Sequence, residues 1–269
     1  MTIREKLVVE PGSPAGLAGR DPGDRLGFES KNGIAAELDG LTTELRELQE
    51  RLWAESRRSL LLVLQGMDTS GKDGTIRHVF RGVNPQACRV ASFKVPTEAE
   101  LAHDFLWRVH AVCPAHGQLG IFNRSHYEDV VVVRVKELVP EQVWRPRYAQ
   151  IREFERLLVE SGTTIVKVFL HISKDEQRER LQERLDDPLK TWKFRLGDLD
   201  DRRRWDDFQA AYEDALTETS TEWAPWYVVP ANSKRVRNLA VARLLVGILR
   251  DLDPQIPPPP DGLDGIVVE

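Results

Sequence analysis

Residues 66–73 read Gly66-Met67-Asp68-Thr69-Ser70-Gly71-Lys72-Asp73, a G-x-x-x-x-G-K spacing in which each fixed residue has a chemical use. Gly66 and Gly71 let the backbone turn so that successive N–H groups, across Thr69 and Ser70, face phosphate oxygens. The N-terminus of a following helix adds its positive end. Lys72 brings a cation to a phosphate being transferred. Asp73 occupies the place where Ser or Thr holds magnesium in the common form of this loop. It is either a member of the site or a helix N-terminal carboxylate satisfying the dipole. A carboxylate inside the loop repels phosphates unless a metal lies between them. Asp68 is therefore assigned to magnesium ligation or to orienting the attacking phosphate oxygen.

A second polar cluster follows an apolar run: Gly120-Ile121-Phe122-Asn123-Arg124-Ser125-His126-Tyr127-Glu128-Asp129. In phosphate-loop proteins a polar residue at the tip of a neighbouring strand faces the metal and phosphates, and Asn123 holds that place. Arg124 can clamp phosphate with its planar fork. Glu128 holds metal through water or selects the acceptor; with Asp129 it also reads as helix N-terminal charge. His126 reads as structural or as a weak phosphate donor, and no histidine pair has a zinc spacing. Farther on, Arg178, Arg180, Arg184, Lys190, Lys193, Arg195 and Arg202 to Arg204 crowd into one segment interrupted by Pro188. Pro188 ends the preceding helix, giving a helix, a turn and another helix. Such a lid closes over phosphates and excludes water, with Arg184, Lys190 and Lys193 on the transferring group. A solvated charged face is the plain alternative, strongest for Arg202 to Arg204. Trp192 either stacks on a base or anchors a hinge.

These residues need rigid supports. Strands are predicted at 59–65, 89–93, 117–122, 163–172 and 226–229, and the first is a continuous apolar run suited to burial on both faces. Helices are predicted at 35–58, 75–81, 98–109, 129–138, 141–160, 174–185, 200–219 and 234–252. Leu38, Leu41, Leu45, Leu48 and Leu52 form one helical stripe for core packing. Strands alternating with helices imply a three-layer α/β fold, a parallel five-stranded sheet covered on both faces. Residues 1–33 read as an irregular arm, 34–255 as the domain with its lid at about 178–204, and 256–269 as a Pro-rich tail.

The chain has 269 residues, enough for one large α/β domain. Lys plus Arg number 38 against 43 Asp plus Glu, a net charge of −5 that argues against a dedicated nucleic-acid binder. It leaves small anionic substrates open, because a basic pocket can sit in an acidic shell. Cys88 and Cys113 lack a pairing motif, which fits a reducing compartment. The first residues have no apolar signal region, and the runs at Leu60–Leu64 and Val130–Val133 fall far short of the ~20 residues of a membrane span. A cytoplasmic protein without a membrane partner is expected.

Taken together, Gly66 to Gly74, Asn123 to Asp129, Asp187-Pro188-Leu189-Lys190-Thr191-Trp192-Lys193-Phe194, Trp205-Asp206-Asp207-Phe208 and Ala224 to Ala231 make the chain resemble the polyphosphate kinase 2 family, in its class III branch, over roughly residues 30–255. The resemblance implies a P-loop kinase fold like that of thymidylate kinase. It implies a phosphotransferase that moves the terminal phosphoryl group between inorganic polyphosphate and AMP, ADP or ATP. The implied cofactor is Mg2+, with Mn2+ as a substitute, on Asp68 together with Asn123 or with Glu128 through water. By position, Asp68, Lys72, Asn123, Arg124 and Arg184 inherit catalytic roles. Gly66, Thr69, Ser70, Gly71, Asp73, Lys94, Glu128, Lys190 and Lys193 bind phosphate or nucleotide, Lys94 extending the groove for the chain. Asn123 stands where other branches carry Asp, and Arg195 where many members carry Ser. A homo-oligomer, dimer or tetramer, is expected. An ATP-dependent kinase of a small metabolite is the alternative for the same loop.

Overall fold

The computed structural model describes residues 2–28 and 30–262. Met1 and Glu29 of the expected arm, and residues 263–269 of the expected tail, lie outside the described residues.

The sheet is built around β2 (Ser59–Gln65), every residue of which is buried. Its two faces are covered, which is why its sequence is apolar at successive positions instead of alternating. β2 pairs in parallel with β4 (Leu119–Asn123) on one side and with β5 (Thr163–His171) on the other. β3 (Cys88–Ser92) extends the sheet beyond β4, and β6 (Trp226–Pro230) beyond β5, both parallel. The five expected strands are all present. The expected arm departs from irregularity: a helical turn, Ile3–Leu7, leads into β1 (Val8–Val9), a sixth strand antiparallel to β6, giving the order β1-β6-β5-β2-β4-β3. Two residues are too short to show a strand period. Their role is to cover the open edge of β6, and Leu7, Val9, Ala15 and Leu17 then join the core.

Helices α1 (Lys31–Glu55), α2 (Lys72–Val79) and α8 (Lys234–Leu252) pack together as one layer. Helices α3 (Glu128–Val135), α4 (Arg147–Glu160) and α7 (Trp205–Thr219) form the other. The stripe on α1 belongs to the core: Leu45, Leu48 and Leu52 are buried, with Leu38 and Leu41 packed against them. Between α4 and α7 in sequence lie α5 (Lys174–Asp186) and α6 (Leu196–Arg203), the segment read as a lid.

Three expected helices are broken. Residues 98–109 form two single turns, Glu98–Leu101 and Trp107–His110, because the Asp104 carboxylate accepts from the Leu106 N–H and restarts the helix there. The 141–160 stretch divides into Glu141–Trp144 and α4 at Pro146, which lacks the N–H to continue. The 200–219 stretch divides at Arg204, whose guanidinium donates to the Val135 carbonyl at the end of α3. No helix among the described residues is long and apolar enough to cross a membrane.

One polar network inside this core fixes the start of α3. Lys167, fully buried on β5, donates to Glu155 of α4 at 2.6 Å, to the Thr219 carbonyl at 2.6 Å and to the Tyr127 hydroxyl at 3.1 Å. Tyr127 in turn donates to Glu155 at 2.8 Å and meets Trp226 edge-on, ring centroids 4.7 Å apart. Burial pushes the Glu155 carboxyl up, but Lys167 and His126 outweigh it and hold the group below its ordinary value. Removing one partner from a buried pair leaves the other uncompensated, at a cost of roughly 3–5 kcal/mol. Urea denaturation should therefore show Lys167→Met destabilised by about that amount, and the double variant with Glu155→Gln should recover most of the loss. Equal stability of Lys167→Met and wild type would show that the pair does not organise this part of the core.

Candidate active site

β2 runs straight into the loop that begins at Gly66. Gly66 has φ 147°, and a Cβ there would lie 2.7 Å from the Leu170 carbonyl oxygen and 2.8 Å from Ser70 Oγ. Thr69 and Gly71 also turn left-handed, at φ 67° and 102°. The result is a tight cradle closed by Lys72, the first residue of α2. Its ammonium donates to the Gly66 carbonyl at 2.7 Å and to the Met67 carbonyl at 3.3 Å. Burial first, and Arg124 second, bring the Lys72 ammonium down to about 8, against the pull of Asp68, Glu128 and Asp73. The lysine is thus a cation held in place before any phosphate arrives, and its charge is easily lost unless an anion supports it.

Across from the loop, β4 ends at Asn123 and the chain turns left-handed at Arg124, φ 62°. This conformation is costly for a residue with a Cβ. It is held by the Arg124 N–H donating to the Leu64 carbonyl of β2 at 3.1 Å, one more rung after the strand pairing. The side chain then reaches back between two acids: Nη2 donates to Asp68 at 2.6 Å and Nη1 to Glu128 at 3.1 Å. Glu128 is the largest influence keeping the guanidinium charged; burial opposes it and Asp68 adds to it. Burial works to raise the Asp68 carboxyl, but Arg124, then Lys72 and Arg184, hold it below the ordinary value. Asp73 serves in the first turn of α2 and also accepts from the Asn123 side-chain amide at 2.7 Å. An aspartate at 123 would instead face Asp73 as a like charge. His126 lies buried with its Nε2 3.3 Å from Glu155, in the core network.

The structure therefore brings Gly66, Asp68, Thr69, Ser70, Gly71, Lys72, Asp73, Asn123, Arg124 and Glu128 to the carboxyl ends of two adjacent strands. Arg184, on α5, acts on this group through its charge on Asp68 and sits 3.5 Å from Asp198 of α6. Lys190 is paired instead with Glu183 at 3.1 Å and Asp187 at 2.9 Å, and Lys193 lies 5.1 Å over the Trp192 ring. Trp192 is 76% exposed, its indole N–H donating to the Leu189 carbonyl, so it anchors no buried hinge. Lys94 is exposed, and its carbonyl accepts from Arg108 at 2.9 Å.

Sequence reasoning missed the supports behind the loop. Gln177 of α5 donates to the Asp68 carbonyl at 3.3 Å. Arg180, counted only among the lid's basic residues, donates to the Thr69 carbonyl at 2.8 Å and the Ser70 carbonyl at 3.1 Å. Arg237 of α8 donates to the same Ser70 carbonyl at 3.2 Å. A signal for Arg237 was present: it heads the helical stripe of Ala240, Val241, Leu244 and Leu245, where a solvated arginine has no place.

No group of three or more His, Cys, Asp or Glu side chains forms a metal cage among the described residues. Magnesium takes oxygen ligands and is characteristically held by one or two carboxylates together with substrate phosphates and water. Asp68, Asn123 and Glu128 are a donor set of that kind: Arg124 occupies one Asp68 oxygen and leaves the other, and the Asn123 amide N–H points at Asp73.

Residues 29–257 match the profile of the family described as polyphosphate kinase 2 (PPK2). An AMP/ADP-polyphosphate phosphotransferase of Meiothermus ruber is 59% identical over 266 residues, covering 98% of this chain and 100% of the relative. An ADP-polyphosphate phosphotransferase of Rhodopseudomonas palustris is 46% identical over 242 residues, 86% of this chain and 84% of the relative. The crystal structure of polyphosphate kinase 2 from Arthrobacter aurescens TC1 matches with a TM-score of 0.93 at 46% identity, covering 99% of this chain and 94% of that one. With a phosphate cradle, a buried lysine and an acid-flanked arginine at two strand tips, this chain belongs to the polyphosphate kinase 2 family.

Proposed function

We propose that the protein transfers the terminal phosphoryl group of inorganic polyphosphate to AMP and ADP, forming ADP and ATP, reversibly and by in-line displacement with magnesium. The observation that carries this reading is the convergence of Lys72, Asp68, Arg124 and Glu128 at the tips of β2 and β4. Full-length similarity to an AMP/ADP-polyphosphate phosphotransferase supports it.

Phosphoryl transfer passes through a loose transition state whose charge spreads over the equatorial oxygens, so positioning and neutralisation are the catalysis. The loop amides and the Lys72 ammonium receive the terminal phosphates of the donor, and Arg124 presents its fork from the opposite strand. Asp68 and Glu128 hold that fork in one orientation before substrate arrives, which avoids reorganisation during the reaction. In this reading Arg184, Lys190 and Lys193 meet the nucleotide phosphate, Lys190 after leaving its exposed pairs with Glu183 and Asp187, and Lys94 extends the binding surface for the chain. A phosphate acceptor is already ionised near neutral pH. It needs no general base, in keeping with His126 being tied to Glu155. Kinases of this family generally need a divalent metal; Asp68, with Asn123 or with Glu128 through water, would hold magnesium here, and the ion would supply neutralisation of phosphate charge. The net charge of −5 supports a protein without a nucleic-acid partner, and a cytoplasmic site of action agrees with two unpaired cysteines.

Lys72→Met should lower kcat by about 10^2–10^3 or more, the usual loss for one charged donor at the developing charge, while the thermal transition stays near that of wild type. Near-normal turnover by this variant would remove Lys72 from the mechanism. Polyphosphate and ATP, each tested against AMP, ADP, GMP and GDP with magnesium, separate this reading from a conventional ATP-dependent kinase. Turnover of AMP and ADP with polyphosphate is expected, and phosphorylation of a small metabolite by ATP alone would overturn it.

The pH profile gives a further check. In the free enzyme Lys72 loses its proton as pH rises through about 8. So kcat/KM for polyphosphate should fall on the alkaline side with an apparent pKa near 8, and the corresponding limb of kcat should lie higher, because bound phosphate favours the ammonium. Coincident limbs for the two parameters would show that Lys72 does not meet the anion. In stability the sign is opposite. The unfolded lysine binds its proton more tightly, so the Lys72 contribution to folding improves as pH rises above about 8.

A further inference from the structure

Four cations surround the phosphate loop, and three have a counter-charge or lie in its mouth. Arg124 bridges Asp68 and Glu128, Lys72 closes the cradle, and Arg180 is paired with Glu176 at 2.7 Å. Arg237 is the exception. It is 2% exposed, and its guanidinium donates only to neutral oxygens: the Asn238 side-chain carbonyl at 2.8 and 3.1 Å and the Ser70 carbonyl at 3.2 Å. No carboxylate among the described residues lies within ion-pair distance of it. Burial, and then repulsion from Arg180, bring the group down to about 10.

Its position has a specific relation to the loop. A Cβ on Gly71 would fall 1.8 Å from Arg237 Nη1, and one on Gly74 would fall 3.1 Å from Nη2. The guanidinium therefore lies against the first turn of α2, in a slot that a side chain at 71 would fill and one at 74 would crowd. The Ser70 carbonyl accepts from Arg180 and Arg237 together. The other end of that peptide unit is the Gly71 N–H, the first amide of the anion-binding turn. Two cations behind the carbonyl polarise the peptide so that its N–H end becomes more positive toward the front.

A buried charge without a partner is costly in the empty protein. The cost falls when an anion occupies the far side of the same turn. We propose that Arg237 is a positioning residue whose uncompensated charge acts through the Ser70–Gly71 peptide to strengthen the loop's hold on a polyanionic phosphate donor. The inference rests on the polyphosphate reading above and adds to it the source of the donor's affinity.

Two variants separate charge from bonding. Arg237→Lys keeps the charge with a less extended donor; Arg237→Gln keeps a donor toward Ser70 without the charge. The full chain is assayed with medium-length polyphosphate, ADP and magnesium, and melted with and without polyphosphate alone. For Arg237→Gln, KM for polyphosphate should rise about tenfold, the equivalent of ~1.4 kcal/mol, with kcat within about threefold of wild type. Its melting temperature without ligand should equal or exceed that of wild type, and the upward shift on adding polyphosphate should shrink. Arg237→Lys should stay within about threefold of wild type in KM. A Gln variant that does not fold, or that melts lower while keeping wild-type KM, assigns Arg237 a bracing role and overturns the inference. So does a Lys variant as impaired as Gln. A wild type that neither binds nor uses polyphosphate overturns the functional reading itself, and this inference with it; a wild type that does both, beside an unaffected Gln variant, overturns the inference alone.

Discussion

Gathering positive charge around a loop of backbone amides, before any phosphate is there to balance it, is the constraint on which this structure turns. Charges taken out of water must be paired, hydrogen-bonded or lost. The protein meets this demand differently for each cation. Lys72 bonds to two loop carbonyls and sits with its ionisation brought down to about 8. Arg124 is shared by two carboxylates on different elements. Arg180 combines one carboxylate with the carbonyls of Thr69, Ser70, Ala231 and Asn232. Arg237 has neutral oxygens alone. These solutions also build the loop, since most of its outward carbonyls end on a cation, leaving the amides of the first turn of α2 for the ligand.

The sheet makes the arrangement possible. β2 and β4 are adjacent and parallel, so their carboxyl ends deliver Gly66 and Asn123 to the same edge. Ligand sites in open α/β sheets form at such carboxyl ends. Gln65 ties the two ends together by donating to Ser125 at 3.1 Å. Below them, the Lys167–Glu155–Tyr127 network joins β5, α4 and the turn into α3, so the residue before Glu128 cannot drift. The polar core thus trades some desolvation cost for a fixed angle between Arg124 and Glu128.

Much of the site was legible in the sequence because it is local. The loop is one run of eight residues after an apolar strand, and its spacing determines its chemistry. The cluster from Asn123 to Glu128 is likewise contiguous. What escaped was the support that comes from far along the chain. Arg180 and Arg237 reach Ser70 from 110 and 167 residues away, and no spacing rule connects them. Broken helices escaped for a related reason: the break at Arg204 depends on a carbonyl at the end of α3, so periodicity alone ran the helix through it. β1 escaped because two residues carry no period. Asp73 shows the intermediate case. Both of its readings, helix carboxylate and site member, turn out to be compatible, since one oxygen meets Asn123 while the residue sits in the first turn of α2.

The segment from α5 to α6 has a gradient of attachment that follows from the same physics. At its root, α5 is fixed to the loop by Gln177, through a part-buried bond to the Asp68 carbonyl, and by Arg180, through buried bonds to the Thr69 and Ser70 carbonyls. At its far end, Lys190 is held by Glu183 and Asp187 in ion pairs open to water, which screening makes easy to exchange. Leu189, Trp192 and Leu196 are exposed there, with no core to hold them. Between the two ends stands Arg184, near enough to Asp68 to influence its ionisation, with Asp198 as its partner. Motion in this segment therefore has a defined pivot: it costs least beyond Pro188, where only exposed ion pairs hold the chain, and most at Arg180, where moving the helix would unmake the loop. Through Arg180 on the Thr69 and Ser70 carbonyls, the loop and the root of this segment share one rigid joint.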